Sequence, residues 1–158
     1  MKKISNDHRP PRFVNSLYIG IFSGILLGLL MKFIQSVTNI NVYTLLLNVD
    51  FIPFIGEVHL PETIEFLFHV LISIVIAFVF VGLADRLHVE DSLPKLWLLS
   101  FFLCLPTFGL YFLLSELAIK DVPEWDDWHS FAYWTLGHLF YVWILPMLYK
   151  KKRSTSLR

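Results

Sequence analysis

Four stretches of the chain stay apolar long enough to cross a bilayer, near residues 13 to 36, 63 to 84, 96 to 116 and 130 to 149. A helix rises about 1.5 Å per residue, so about 20 apolar residues span about 30 Å of hydrocarbon. The polar residues fall in short blocks between these runs. The pattern predicts an all-α polytopic membrane protein, a four-transmembrane-helix bundle forming one integral domain over residues 1–158. The polar segment Met1 to Arg12, with Pro10 and Pro11, precedes an apolar run too long for a signal-peptide core and not followed by a small-residue cleavage motif, so a retained first span is expected.

The polar blocks are sorted by charge. Lys2, Lys3, Arg9 and Arg12 precede the first span, Arg86 and Lys95 flank the second connection, and Lys150, Lys151, Lys152, Arg153 and Arg158 follow the last span. Eleven of the thirteen basic residues therefore sit on one side, leaving Lys32 and Lys120 on the other. The second side holds Asp50, Glu57, Glu62, Glu65, Glu116, Asp121, Glu124, Asp126 and Asp127. The positive-inside rule places both termini in the cytoplasm, which requires an even number of spans. The connection from 37 to 62 is too apolar between Tyr43 and Ile55 for an ordinary solvated loop, although Asn48, Asp50 and Pro53 break it. It is expected in the outer interface or packed over the bundle. Trp125 and Trp128 flank Asp126 and Asp127 just before the fourth span, where indoles favour the headgroup level, and are expected to form an interfacial anchor. The basic tail is expected to be a weak surface anchor on anionic headgroups, at about 1 kcal/mol per basic residue.

Composition agrees with this pattern. At 56% hydrophobic and 16% charged residues, the chain carries more apolar surface than a soluble domain of its size could bury, so the bilayer is its expected partner. Its net charge of zero gives no basic footprint for nucleic acid. The one cysteine, Cys104, cannot form an intrachain disulfide and is expected to be a small packing residue.

Within the spans, small residues and ionisable residues stand out. Ser16, Gly20, Gly24 and Gly28 recur every four residues in the first span, forming a stripe that admits a close helix. That helix belongs either to the same bundle, the favoured reading, or to a second copy in a homo-oligomer. Lys32, near the same stripe, is expected to snorkel to water in preference to meeting an acid on a neighbouring helix. Glu62, Glu65 and His69, with Ser73 a turn further in, project from one face of the second span. His138 lies in the fourth span, which runs parallel to the second. His69 and His138 should therefore lie about 9 and about 12 Å below the outer boundary, so the two imidazoles could meet.

Three readings compete for this pair. Each imidazole is neutral and bonded to a hydroxyl or carbonyl of a neighbouring helix; or the pair titrates or binds an ion with Glu62 or Glu65; or the two ligate haem or a metal, for which no further ligand can be identified. No cofactor is expected. Glu124, Asp126, Asp127 and His129 are either a divalent-cation site or, as favoured, a solvated acidic loop. Pro106 and Gly109 are expected to interrupt the third span, as a kink or an aid to packing. There is no Gly-rich phosphate loop, GxSxG, HExxH or SxxK signature, and no enzyme is nominated.

The chain resembles the YagU-like bacterial inner-membrane proteins, a group without an established activity. The resemblance rests on Ile19-Gly20 through Gly24 to Lys32, the run Phe68-His69-Val70-Leu71-Ile72-Ser73, Leu96-Trp97 at the start of the third span, and Trp128 followed by Gly137-His138-Leu139 and a basic end. Together these cover most of the chain in order. The chain differs at Trp134, where the family pattern has an acidic residue, and in lacking a proline-rich segment after the first span. The resemblance implies a bacterial cytoplasmic membrane and a role in acid or envelope stress. From residues and resemblance together, the expected function is pH or ion sensing or an accessory stress role, with a small transporter or channel subunit and a haem or metal protein as alternatives.

Overall fold

The computed structural model of the chain describes residues 12–52 and 60–156, with side chains as far as Lys151. The sequence expectations for Lys2, Lys3, Arg9, Pro10, Pro11, Pro53, Glu57 and Arg158, and for the side chains of Lys152 and Arg153, lie outside the described residues. The elements run α1 (Arg12–Thr38), α2 (Val42–Leu47), α3 (Glu62–Arg86), α4 (Leu93–Leu117) and α5 (Trp128–Ser156). All except the six-residue α2 are long and apolar enough to cross a membrane, and the chain is a multi-pass membrane protein. Each predicted span is present and runs somewhat further at both ends. The third is continuous through Pro106 rather than interrupted, and the space beside Gly109 is open.

The packing differs from that of a water-soluble bundle in leaving many large apolar side chains exposed on the outside of the helices. Along α3 the buried positions include Glu65, His69, Ser73, Ala77 and Ala84, while Leu67, Leu71, Ile72, Val75 and Val79 face outward. Lipid is as apolar as leucine, so large apolar side chains gain little by turning inward. Beside an apolar core that includes Ile19, Met31, Phe80 and Leu145, the interior therefore also takes small residues that allow close approach and polar residues that bond between helices.

The glycine stripe of α1 meets this small and polar face of α3. A methyl group added at Gly20 would overlap the backbone of Ile74, one at Gly24 would crowd Ser73, and one at Gly28 would overlap the ring of Phe66. Of the two readings of the stripe, the contact within the bundle is the one built, and the glycines offer no free face to a second copy. A homo-oligomer through them would first have to displace α3. α5 lies on α1 through Gly137, against Met31 and Leu27, and α4 lies on α5, where Trp134 Nε1 donates to Thr107 O at 2.9 Å. The helices thus form a ring in which α3 and α4 meet only lightly.

Both ends are tied. At the end holding the start of α1 and the end of α5, Asp85 pairs with Arg12 at 2.9 Å and accepts from the Tyr149 hydroxyl at 3.2 Å. There α3 closes in a Schellman motif with His88 in the left-handed region at φ 52, while the Val89 amide reaches back to Ala84 O at 3.1 Å. At the other end, α2 and residues 48–52 pack over the helices. Val42, Tyr43, Leu45 and Leu47 are buried, and Gln35 Oε1 caps the helix by accepting from the Tyr43 and Thr44 amides at 2.9 and 3.0 Å. The expectation that the apolar connection packs over the bundle holds for this part of it.

Candidate functional site: a cavity beneath the α2 cap

The polar stripe of α3 can reach α1 because the glycines bring the backbones together. His69 Nε2 donates to Gly24 O at 3.1 Å, and Ser73 Oγ donates to Gly20 O at 2.8 Å. From α5 the Tyr141 hydroxyl reaches Ser73 Oγ at 2.9 Å, and Ser23 Oγ lies 3.2 Å from the same atom. His138 does not bond to another helix. Its Nδ1 donates to Trp134 O of the preceding turn at 2.9 Å, and its ring lies against the Trp134 indole with centroids 4.4 Å apart. Each imidazole donates to a carbonyl, which can only accept, so in the neutral ring the second nitrogen (Nδ1 of His69, Nε2 of His138) is an acceptor.

Both imidazoles line one cavity of about 160 Å³, with Glu65, Ser73 and Tyr141 also in its wall. The rest of the lining is mainly apolar, and α2 with residues 48–52 covers one end. The two histidines thus share a space. No bond joins them directly.

The two glutamates part company. Glu65 is buried, lines the cavity and pairs with Lys120 of the connection between α4 and α5. Glu62 does not join the histidines. It sits outside the cap, accepting from Lys32 Nζ at 2.6 Å and from the Tyr43 hydroxyl at 2.9 Å. The reading in which Glu62 supplies a charge to His69 is thus corrected, and so is the expectation for Lys32, which meets an acid although its side chain stays partly in solvent. Burial, reinforced by the bond to Glu62, pushes the Tyr43 hydroxyl well above the ordinary tyrosine range. Within the cap, Asp50 Oδ2 accepts from the Ile119 and Lys120 amides at 2.9 and 2.8 Å. The cap, the connection between α4 and α5, and α3 are therefore joined through Asp50, Lys120 and Glu65.

The acidic loop has a local task. Asp127 Oδ1 accepts from the His129 and Ser130 amides at 3.0 and 3.3 Å, and Oδ2 accepts from Ser130 Oγ at 2.6 Å, an N-terminal cap for α5. The Ser130 hydroxyl, followed by the two amides, holds this carboxyl below the usual aspartate range. Among the described residues, no group of three or more His, Cys, Asp or Glu side chains is placed to share a metal ion. The cavity also has room for about one six-membered ring, far short of a macrocycle, so haem does not fit between His69 and His138. Trp125 and Trp128 are well exposed just before and at the start of α5, and Trp128 packs edge-on against Phe131.

Sequence reasoning missed Asn48, Tyr141 and Lys120. Tyr141 carried a signal, because Trp134, His138, Tyr141 and Leu145 follow at steps of four, three and four, and all are buried. Compared with protein-family models, curated proteins and solved structures, the chain finds no match.

Proposed function

We propose that the chain is a non-enzymatic membrane sensor of external protons or ions, whose responding element is the joint between the outer cap and the histidine-lined cavity. The observation that carries this reading is that Glu65 shares the cavity with both imidazoles while it holds Lys120 of the outer connection. Protonating Glu65 removes the partner of Lys120, and protonating Asp50 weakens its hold on the Ile119 and Lys120 amides. Acid on the outer side then loosens cap and connection together. Charging either imidazole places a cation beside Trp134 and Tyr141 in an apolar space, a state that favours a widened, hydrated cavity. The groups around Glu65 that set this response are Lys120, Tyr43 at the cap, and Glu62 and His69 on its own helix.

The charge distribution supports an orientation with both termini in the cytoplasm. The resemblance to YagU-like proteins supports a bacterial cytoplasmic membrane and a role in acid or envelope stress. A transporter or channel would need a polar path continuing past Ser73 and Tyr141, and no observation favours that reading over the sensor.

Hydrogen exchange between about pH 4 and 8 tests the proposal. In the wild type, amides 118 to 122 should lose protection at the acid end. In Glu65→Gln they should be labile at both ends, and His69→Gln or His138→Gln should displace the transition. Exchange in the wild type that varies with pH only through the intrinsic chemical rate would overturn the reading.

A further inference from the structure

The cavity contains an amide donor that the bundle itself does not use. Asn48 ends α2, is 4% exposed and lines the cavity. Its side-chain oxygen accepts from the Asp50 amide at 3.2 Å, which fixes the orientation of the group, and its Nδ2 has no hydrogen-bond partner. A buried amide left unpaired forfeits its hydration without a replacement bond, so a donor held there calls for an occupant with an acceptor. The imidazoles supply the complementary function, because each has one ring nitrogen engaged with a carbonyl and the other an acceptor while the ring is neutral. The remaining wall is largely apolar, including Leu27, Ile76, Leu110 and Leu114.

Size and access narrow the occupant further. The volume of about 160 Å³ is close to that of the engineered cavity of about 150 Å³ that takes benzene in another protein. Ile72 of α3 and Leu110 of α4 line the cavity and are also 59% and 41% exposed on the outer surface of the bundle. They mark a mouth at the lightly packed seam between these two helices, facing lipid rather than water. A charged solute does not arrive by that route, whereas a neutral molecule dissolved in the bilayer does.

We infer that the cavity is a binding site for a neutral, ring-sized lipophile bearing a hydroxyl group, a phenol in its simplest form, which enters from the bilayer between α3 and α4. The hydroxyl oxygen accepts from Asn48 Nδ2, its proton is donated to an imidazole nitrogen, and the ring fills the apolar part. This site does not depend on the sensing role proposed above.

The test uses the full chain in lipid nanodiscs, with 4-fluorophenol as the probe and fluorobenzene as its counterpart without a hydroxyl, both followed by fluorine NMR. Saturable binding of 4-fluorophenol is expected, with fluorobenzene about tenfold weaker, the value of one hydrogen bond to a buried donor. Asn48→Leu should bring 4-fluorophenol down to the level of fluorobenzene. Ile72→Trp, a change on the lipid-facing mouth, should abolish saturable binding of both. No saturable binding to the wild type, or equal binding of the two probes, would overturn the inference. So would unchanged binding of 4-fluorophenol to a folded Asn48→Leu variant. Should that variant not fold, Ile72→Trp decides, and unchanged binding there overturns the site.

Discussion

At the scale of single residues, glycine has two different meanings in this chain. At Gly20 the absence of a side chain sets the distance between two helices, because a methyl there would run into the Ile74 backbone, which cannot rotate away. At Gly82 nothing lies within 4 Å of such a methyl, and the residue only adds freedom to the unfolded helix. The same substitution should therefore act with opposite sign. Gly20→Ala is expected to destabilise the bundle by about 1 to 3 kcal/mol through overpacking, and Gly82→Ala to stabilise it by about 0.5 to 1 kcal/mol. Unfolding titrations in mixed micelles measure both, and a Gly20→Ala variant as stable as wild type would show that the seam is looser than described. The cost at Gly20 should extend to the hydrogen bonds, since Ser73 Oγ reaches the carbonyl of that glycine.

At the scale of elements, the helix ends are held by side chains whose charge is exposed to pH. Asp127 caps α5 with both carboxylate oxygens, and its folded-state pKa is lowered, chiefly by Ser130. A depressed carboxylate contributes stability above its unfolded value, about pH 4, and loses it as the pH falls through the lower folded value. Asp127→Ala should thus cost about 1 kcal/mol at neutral pH, and the difference from wild type should shrink toward zero in strong acid. Thermal melts at neutral pH and at about pH 2 check this; a deficit that persists undiminished in acid would mean the ionised cap is not its source. The four long helices were legible from apolar length alone, because a bilayer demands that length whatever the neighbours are. Asp127 was legible only as one acid among several, since a cap depends on where the helix begins, and residues 130 and 128 differ by half a turn. α2 was hidden for a related reason. Six residues cannot sustain a helix by propensity, and this one is held by Gln35, which lies on a different helix.

At the scale of the whole molecule, the two ends treat their charges differently. The end capped by α2 carries Lys32 and Lys120, and each is paired with a glutamate of α3. At the opposite end, Asp85 draws α1 and α5 to the foot of α3 through Arg12 and Tyr149, and Lys150 donates to Asp91 O at 2.9 Å. The sequence showed the segregation, and from it the side on which each histidine stripe begins. It could not show that the outer lysines lock the cap, because Lys120 and Glu65 lie 55 residues apart and meet only once α4 and α3 are side by side. Cap and cavity gain a sensing role only if they face outward, so the orientation decides more than bookkeeping of termini. In a Cys104→Ser background, a cysteine placed at Asp126 in the outer connection should react with a membrane-impermeant maleimide in intact cells. One placed at Asp91, between α3 and α4, should react only after lysis. Labelling in the reverse order would turn the histidine cavity toward the cytoplasm, and with it the source of any proton that reaches Glu65.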